Sequence, residues 1–385
     1  MKLLVILPRF PYPTEKGDKL RAFHQLRILS QQHRIILCAI SHQPVSRKQL
    51  DAVKPYCSEI HVIRQRKIQV VWNLFRALFC GWPFQTGYYY SAKASNKIKK
   101  IIRDEKPDHI YCQLLRTALY AIDESTPKTI DFQDVFSKGI ERRIPLAGPV
   151  MKQLLRLEYR RLLRFEAFVF NRFDNKTIIS GSDRDFIPHP EREKILIVPN
   201  GVDHEFFKPM DKPMTHELIF TGNMGYPPNI NCAEYLAVKI LPIILRELPG
   251  VRLMLAGATP SPKVRNLASK HVTVTGWVDD IRECYAGASV FLAPMQIGTG
   301  LQNKLLEAMS MRLPCITSSL CNYALKAKPG SEILIGDSAE EVAWHAINLL
   351  KDKEKSRQLA TSGYDFVHRN YSWSGATRGL LEVLK

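Results

Sequence analysis

Short apolar runs alternating with helix-periodic stretches, in two successive series, constrain this sequence more than any other feature. The first series is KLLVIL, RIILCAI, EIHVI, the run in KPDHIYCQ, TIDFQD and KTIISGS. Helical stretches lie between these runs at residues 19–30, 46–54, 96–103 and 151–171. The second series is ELIFTG, VRLMLAG, HVTVTG, SVFLAP and LPCITSS, with helical stretches at 231–247, 262–269, 279–286 and 305–311. Buried strands alternating with helices predict βαβ units and a parallel sheet, so each series predicts one α/β domain. The length of 385 residues agrees, because single cores stop growing beyond about 250–300 residues. The break falls in IVPNGVDHEFFKPMDKPMTHE, residues 197–217, which has the Pro, Gly and charge content of an interdomain linker. Residues 339–369 predict two more helices, and YSWSGATRGLLEVLK follows them.

Several classes are set aside by composition. The eight cysteines include no C-x-x-C pair and mostly sit in apolar runs, which predicts buried thiols in a reducing compartment. KLLVIL before Pro8 suits a buried strand and not the core of a signal peptide. No stretch reaches the roughly 18 apolar residues of a membrane span. The longest candidate, residues 70–90, is broken by Asn73, Arg76, Gly81, Pro83 and Gln85. A cytoplasmic protein is expected. Its net charge is +18, unevenly placed: residues 1–180 carry 32 Lys and Arg against 15 Asp and Glu, and the rest of the chain is nearly balanced. That asymmetry predicts an anionic partner for the N-terminal half, a membrane surface or a polyanion; a basic surface without a partner is the alternative.

In open parallel sheets ligands bind beyond the carboxyl ends of the strands. In the second half those positions are Thr221-Gly222-Asn223, Gly257, Gly276-Trp277, residues 294–304 and Ser318-Ser319. GTGLQNKLLEAM, residues 298–309, carries the most chemistry. Gly298 and Gly300 let the backbone bend tightly and approach a ligand. The helix starting after them directs free N–H groups at an anion. Lys304 adds a point charge for a phosphate. Glu307, three residues on and on the same face, can accept both hydroxyls of a ribose. This order fits a nucleotide diphosphate laid along a helix start. The G-K-[ST] ending of a Walker loop is missing, and an ordinary strand–loop–helix turn with solvated Lys and Glu accounts for the pattern equally.

GTGLQNKLLEAM followed by SMRLPCITS resembles the E-A-M-A-x-G-x-P-V motif of retaining glycosyltransferase family 4. IVPNGVD, FTGNM with PPNIN, LAG, TGWVDD, CYAGASVFLAP and the C-terminal YSW are similar to that family in the same order. LPRFPYPTEKGDKLRAFH, WPFQTGYYYS and DFQDVFS resemble the sugar transferases that accompany exosortase-linked exopolysaccharide clusters. The resemblance implies an α/β GT-B fold: two Rossmann-like domains facing a cleft, with a C-terminal helix returning to the N-terminal domain. The implied boundaries are 1–198 for the acceptor side, 199–370 for the nucleotide-sugar side and 371–385 for the returning helix. It also implies an enzyme that moves a sugar from a UDP- or GDP-sugar to a lipid-linked or polysaccharide acceptor with retention, in exopolysaccharide or envelope glycan synthesis.

Site residues follow from the resemblance. Lys304, the amides of Gly300 and Leu301, and Asn303 hold the diphosphate; Asn223 and Gly257 line the same strand ends. Trp277 and Val278 stand where relatives hold the base through backbone contacts, with plain packing equally open for Trp277. Thr299 replaces a Glu that often holds the donor sugar, and TGNMGYPPN lacks the family's Arg and Lys, so Lys304 carries the phosphate charge largely alone. Gly17 is placed near donor phosphates or acceptor, and Arg21, one turn into the next helix, near the same place. Gln113, Arg116 and Asp134 are the acceptor-side candidates, with Asp134 for acceptor contact or activation. Leaving-group stabilisation by Lys304 is the main catalytic contribution expected. No cofactor or metal is implied, since there is no D-x-D and no His/Cys cluster.

Basic residues interleave with aromatics in residues 64–100 and again in 152–173, which suits peripheral contact with an anionic membrane; for the second stretch a core helix with a basic face is the alternative. A non-hydrolysing sugar-nucleotide epimerase shares the architecture but wants acidic and His residues that cannot be placed here. A non-enzymatic polyanion-binding protein is the other reading, and no nucleic-acid-binding signature supports it.

Overall fold

The computed structural model describes residues 1–65, 67–145, 147–297 and 300–384. The chain forms two compact units, Met1–Pro199 with Thr377–Lys385, and Asn200–Ala376.

The first unit is built on a seven-stranded parallel sheet: β1 (Lys2–Leu7), β2 (Arg34–Ser41), β3 (Glu59–Arg64), β4 (His109–Gln113), β5 (Lys128–Asp131), β6 (Asn175–Ile178) and β7 (Leu196–Ile197), in the order β3-β2-β1-β4-β5-β6-β7. Its central strands are continuous apolar runs because helices cover both faces. Alternation along each strand divides the core in two. Leu4, Ile6, Ile36 and Cys38 pack under the helices Ala92–Glu105 and Pro149–Arg172. Leu3, Val5, Ile35 and Leu37 pack with Ala22 and Leu26 of the helix Gly17–Leu29 and with Leu380 and Leu384 at the C-terminus.

The second unit repeats the plan with six parallel strands: β8 (His216–Thr221), β9 (Leu253–Ala256), β10 (Val272–Gly276), β11 (Ala288–Ala293), β12 (Cys315–Thr317) and β13 (Leu334–Ile335), in the order β10-β9-β8-β11-β12-β13. The strand order reverses beside the first strand of each sheet, between β1 and β4 and between β8 and β11. Such a switch point opens a crevice at the carboxyl ends of the strands.

Several elements differ from the sequence reading. The helix read at 231–247 begins at Pro227 and reaches Glu247 through one wider turn at Leu236–Ile240, next to Pro242, which has no N–H for a regular ladder. The helix read at 262–269 is only Pro262–Arg265, because Ser269 turns back to bridge Val272 at the start of β10. The strands β7 and β13 are two residues each, too short to show any periodicity. No described helix is long and apolar enough to cross a membrane.

Candidate functional site

At the switch point of the second unit, β8 ends in Thr221-Gly222-Asn223 and β9 in Gly257. Gly222 has φ +152° and Gly257 φ +139°, a region closed to residues with a Cβ. A Cβ on Gly257 would also lie 1.9 Å from the Gly222 carbonyl oxygen, and one on Gly222 2.7 Å from Asn229 Nδ2 and 3.2 Å from Lys304 Nζ. Gly222 thus makes room for the lysine, and Gly257 makes room for the backbone of Gly222. Gly257→Ala is expected to lower the melting temperature of the second unit by several degrees, since strain and clash together cost about 1–3 kcal/mol. Calorimetry checks it: an unchanged transition would mean that the backbone there relaxes freely.

Lys304 lies at the start of the helix Asn303–Ser310, which follows β11 and has no side-chain N-cap. Its side chain is buried at 9% exposure. Nζ donates to Asn229 Oδ1 at 2.6 Å and sits 4.5 Å from the centroid of the Phe220 ring. Asn229 is itself fixed, its Nδ2 donating to the Asn223 carbonyl at 2.9 Å. Burial pushes the Lys304 ammonium down to about 8, against the opposing pull of Cys232, Cys321 and Glu307. It is therefore still mainly a cation at neutral pH, and no described carboxylate forms an ion pair with it. A buried cation met, among the described residues, by a neutral amide and a ring is undercompensated, and an incoming anion relieves it.

One turn on, Glu307 Oε2 accepts from the Tyr285 hydroxyl at 2.8 Å, and Tyr285 shares a 2.7 Å hydrogen bond with Thr221 Oγ1. Burial raises the Glu307 carboxyl, opposed by the Tyr285 bond and Lys304. No described donor reaches Oε1, which leaves that oxygen for a ligand hydroxyl. Gly300 adopts φ +76° at the loop end, and Leu301 packs partly buried on the core. Asn303 Oδ1 accepts from Asn200 Nδ2 at 3.0 Å, so its carbonyl end is engaged within the protein. Asn223 Oδ1 accepts from Gly225 N and Thr259 Oγ1, shaping its own loop. Trp277 is 60% exposed, so packing does not explain it, whereas Val278 packs on the core. Gly298 and Thr299 lie outside the described residues.

The first unit departs further from expectation. Arg21 does not reach an open ligand position: it is fully buried, with Nε and Nη2 on Asp131 Oδ2 and Oδ1 at 2.7 and 3.0 Å and Nη1 donating to the Pro199 carbonyl at 3.2 Å. Thr177 Oγ1 completes Asp131 at 2.8 Å. This pair ties the helix Gly17–Leu29 to β5 and β6. Gln113 is buried too, its Nε2 donating to the Asp18 carbonyl at 2.9 Å. Gly17 is open, and a Cβ there would touch nothing.

Arg116 and Asp134 remain accessible. The Arg116 guanidinium lies 4.9 Å from the ring centroids of both Tyr89 and Phe136 and donates to Gln85 Oε1 at 3.1 Å. Asp134 is solvent-exposed yet crowded by protein. Desolvation raises its carboxyl against the pull of Arg116, with Asp18 and Asp131 adding to the rise. Sequence reasoning missed Arg9, which joins this cluster by bonds to Asp18 at 2.6 Å and to the Tyr89 hydroxyl at 2.7 Å. It also missed Asn229 and Tyr285, whereas Thr221 stands among the strand-end positions read from the sequence. PPNIN, just after the β8 end, was the available signal for Asn229.

Residues 215–352 match the family described as glycosyl transferases group 1. A Klebsiella pneumoniae relative described as an uncharacterized 44.6 kDa protein in the cps region is 20% identical over 96% of each chain. A Mycobacterium tuberculosis GDP-mannose-dependent α-(1-6)-phosphatidylinositol monomannoside mannosyltransferase is 27% identical over 49% of this chain and 55% of the relative. Among solved structures, the sucrose-phosphate synthase of Thermosynechococcus elongatus superposes with a TM-score of 0.72 at 13% identity, over 100% of this chain and 98% of that one. Anabaena HepE, solved with UDP, superposes at 0.69 and 14% identity, over 100% and 99%. The chain has the GT-B fold of these solved structures, and its residues 215–352 form a domain that matches the glycosyl transferases group 1 family.

Proposed function

We propose that this protein is a retaining, family 4 type enzyme that transfers a hexose from a UDP- or GDP-sugar to a lipid-linked or polysaccharide acceptor, in exopolysaccharide or envelope glycan synthesis at the inner face of a membrane. One observation carries the donor half: a buried lysine with no carboxylate partner among the described residues, at a helix start, one turn from a carboxylate whose Oε1 no described donor reaches. In this reading Lys304, with the amides of Gly300 and Leu301, holds the diphosphate and Glu307 the ribose. Trp277 and Val278 border the base, beside Asn223 and Gly257. The acceptor oxygen attacks the anomeric carbon as the bond to the β-phosphate oxygen breaks on the same face, and the departing diphosphate takes the acceptor proton. Lys304 stabilises the charge on that leaving group, so no metal or other cofactor is called for. Arg116 and Asp134 are assigned to the acceptor, Asp134 as the carboxylate that contacts its hydroxyl. The domain limits are read as 1–198, 199–370 and 371–385, the last packing back on the first.

The relatives support the donor class, because one is named for GDP-mannose and HepE was solved with UDP and with UDP-glucose. The test is turnover of a panel of UDP- and GDP-sugars with short lipid acceptors, with the anomeric configuration of the product read by NMR. A product of inverted configuration would overturn retention.

The position of Lys304 near 8 also gives a pH signature. A diphosphate favours the cation, so binding draws on the protonated form. Affinity for the nucleoside diphosphate is expected to hold between pH 6.5 and 7.5 and to fall above about 8. One proton limits the slope to about tenfold per pH unit. Titration calorimetry between pH 6.5 and 9.5 checks it, and Lys304→Arg should flatten the curve. An equally steep fall in Lys304→Arg would assign the proton to another group.

A further inference from the structure

The helix Lys67–Cys80 is the feature of the first unit that the transfer reaction does not absorb. Its inner side is fixed. Val70, Asn73 and Ala77 are buried, Asn73 Nδ2 donates to the Tyr90 carbonyl, and Arg161 of the helix Pro149–Arg172 caps its last turn through the Ala77 and Leu78 carbonyls at 3.1 and 2.7 Å. A Cβ on Gly87 would lie 2.6 Å from the Ala77 Cβ, so the neighbouring helix Phe84–Tyr89 packs at backbone range. The outer side reverses the usual arrangement. Ile68, Val71, Trp72, Phe75 and Phe79 share one face by their helical spacing, and all are exposed, Trp72 at 69% and Phe79 at 73%. Trp72 stacks on Phe75 and Phe75 meets Phe79 edge-to-face, with ring centroids 6.1 and 4.9 Å apart, forming one apolar ridge.

Along the sequence, the charge around this ridge has one sign. Residues 60–103 contain nine Lys and Arg and no Asp or Glu. Among them Arg64, Arg76, Lys93, Lys97, Lys99 and Lys100 are exposed. A second copy of the same surface would be repelled. A nucleic acid would satisfy the cations and leave the ridge in water. An anionic bilayer satisfies both, because cations meet lipid headgroups while aromatic and aliphatic side chains enter the acyl boundary. At about 1.5 Å per residue the helix is roughly 21 Å long, too short to span the hydrocarbon and suited to lying in the interface plane.

We infer that the helix Lys67–Cys80 is an in-plane anchor that inserts its Trp72–Phe79 ridge into an anionic lipid bilayer, held there by Arg76 and the basic helix Ala92–Glu105. This deepens the acceptor-side reading above and rests on its placement at a membrane; it would bring the first unit to a lipid-linked acceptor.

The full-length protein is mixed with phosphatidylglycerol-containing and with pure phosphatidylcholine vesicles, and sedimentation measures the bound fraction. Phe75→Glu/Phe79→Glu should weaken binding to the anionic vesicles by more than about tenfold, and Lys93→Ala/Lys97→Ala by about fivefold for each charge. The emission attributable to Trp72, obtained by difference against Trp72→Phe, should shift to the blue on those vesicles. All these positions are exposed, so the melting temperature and the thermal shift with UDP or GDP should match the unaltered protein. That separates failure of the anchor from failure of the donor site. Vesicle binding unchanged in the Phe75/Phe79 variant would overturn the inference. So would binding to duplex DNA in preference to vesicles, or a Phe75/Phe79 variant whose sole effect is to dissociate an oligomer.

Discussion

Lys304→Met is expected to lower turnover of the donor by about 10²–10³-fold while leaving the protein as stable as before or more so. The two effects have one cause. The Lys304 ammonium is buried at 9% exposure against Asn229 and Phe220 with no counter-ion among the described residues, an arrangement that costs folding energy. A thioether of similar volume removes that cost. In the transition state the same ammonium meets the charge of the departing diphosphate in a site shielded from water, where losing one electrostatic contact costs about 3–4 kcal/mol. Asn229→Ala should have a smaller effect, about tenfold and mainly in kcat, because the lysine remains but loses the 2.6 Å bond that aims it. Steady-state kinetics with melting curves on the same preparations decide the matter. A Lys304→Met protein that melts many degrees lower and binds nucleotide normally would make Lys304 a structural residue.

The second large effect lies in the first unit and concerns stability. Arg21→Met leaves Asp131 buried with its two guanidinium bonds lost, and breaking a buried pair from one side costs about 3–5 kcal/mol. For a unit of this size that is a fall of about 10 °C in its melting transition. Arg21→Met/Asp131→Leu should recover a large part of the loss, because no unpaired charge remains. Calorimetry that resolves the two units checks this. If Arg21→Met melts normally but loses activity, Arg21 acts on a ligand after all.

The contrast between Arg21 and Lys304 shows what the sequence could disclose. Both are basic residues in the first turns of helices that follow strands at a switch point, and both look like ligand contacts on that ground. Asp131, 110 positions from Arg21, closes one of them into an ion pair, while Lys304 meets an amide and keeps an unmatched charge. A partner so distant in sequence has no local signature. The sheets were legible because strands buried on both faces are written as continuous apolar runs. Lys304 and Glu307 were legible because one helical turn separates them. The bonds that set Glu307, from Tyr285 and Thr221, and the one that sets Lys304, from Asn229, join residues brought together only by the strand order β9-β8-β11. Strain is equally hidden: Leu114 and Gln133, just beyond β4 and β5, adopt φ +63° and +60° without being glycine.

The central claim is that the second unit holds the diphosphate of a sugar nucleotide against Lys304. Titration calorimetry of UDP and GDP into the full-length protein at pH 7 tests it most directly, with Lys304→Met alongside. The account predicts saturable one-to-one binding of at least one of the two, weakened by at least about tenfold in Lys304→Met. Binding of neither to a protein with an intact melting transition would contradict it, as would equal binding by the two proteins.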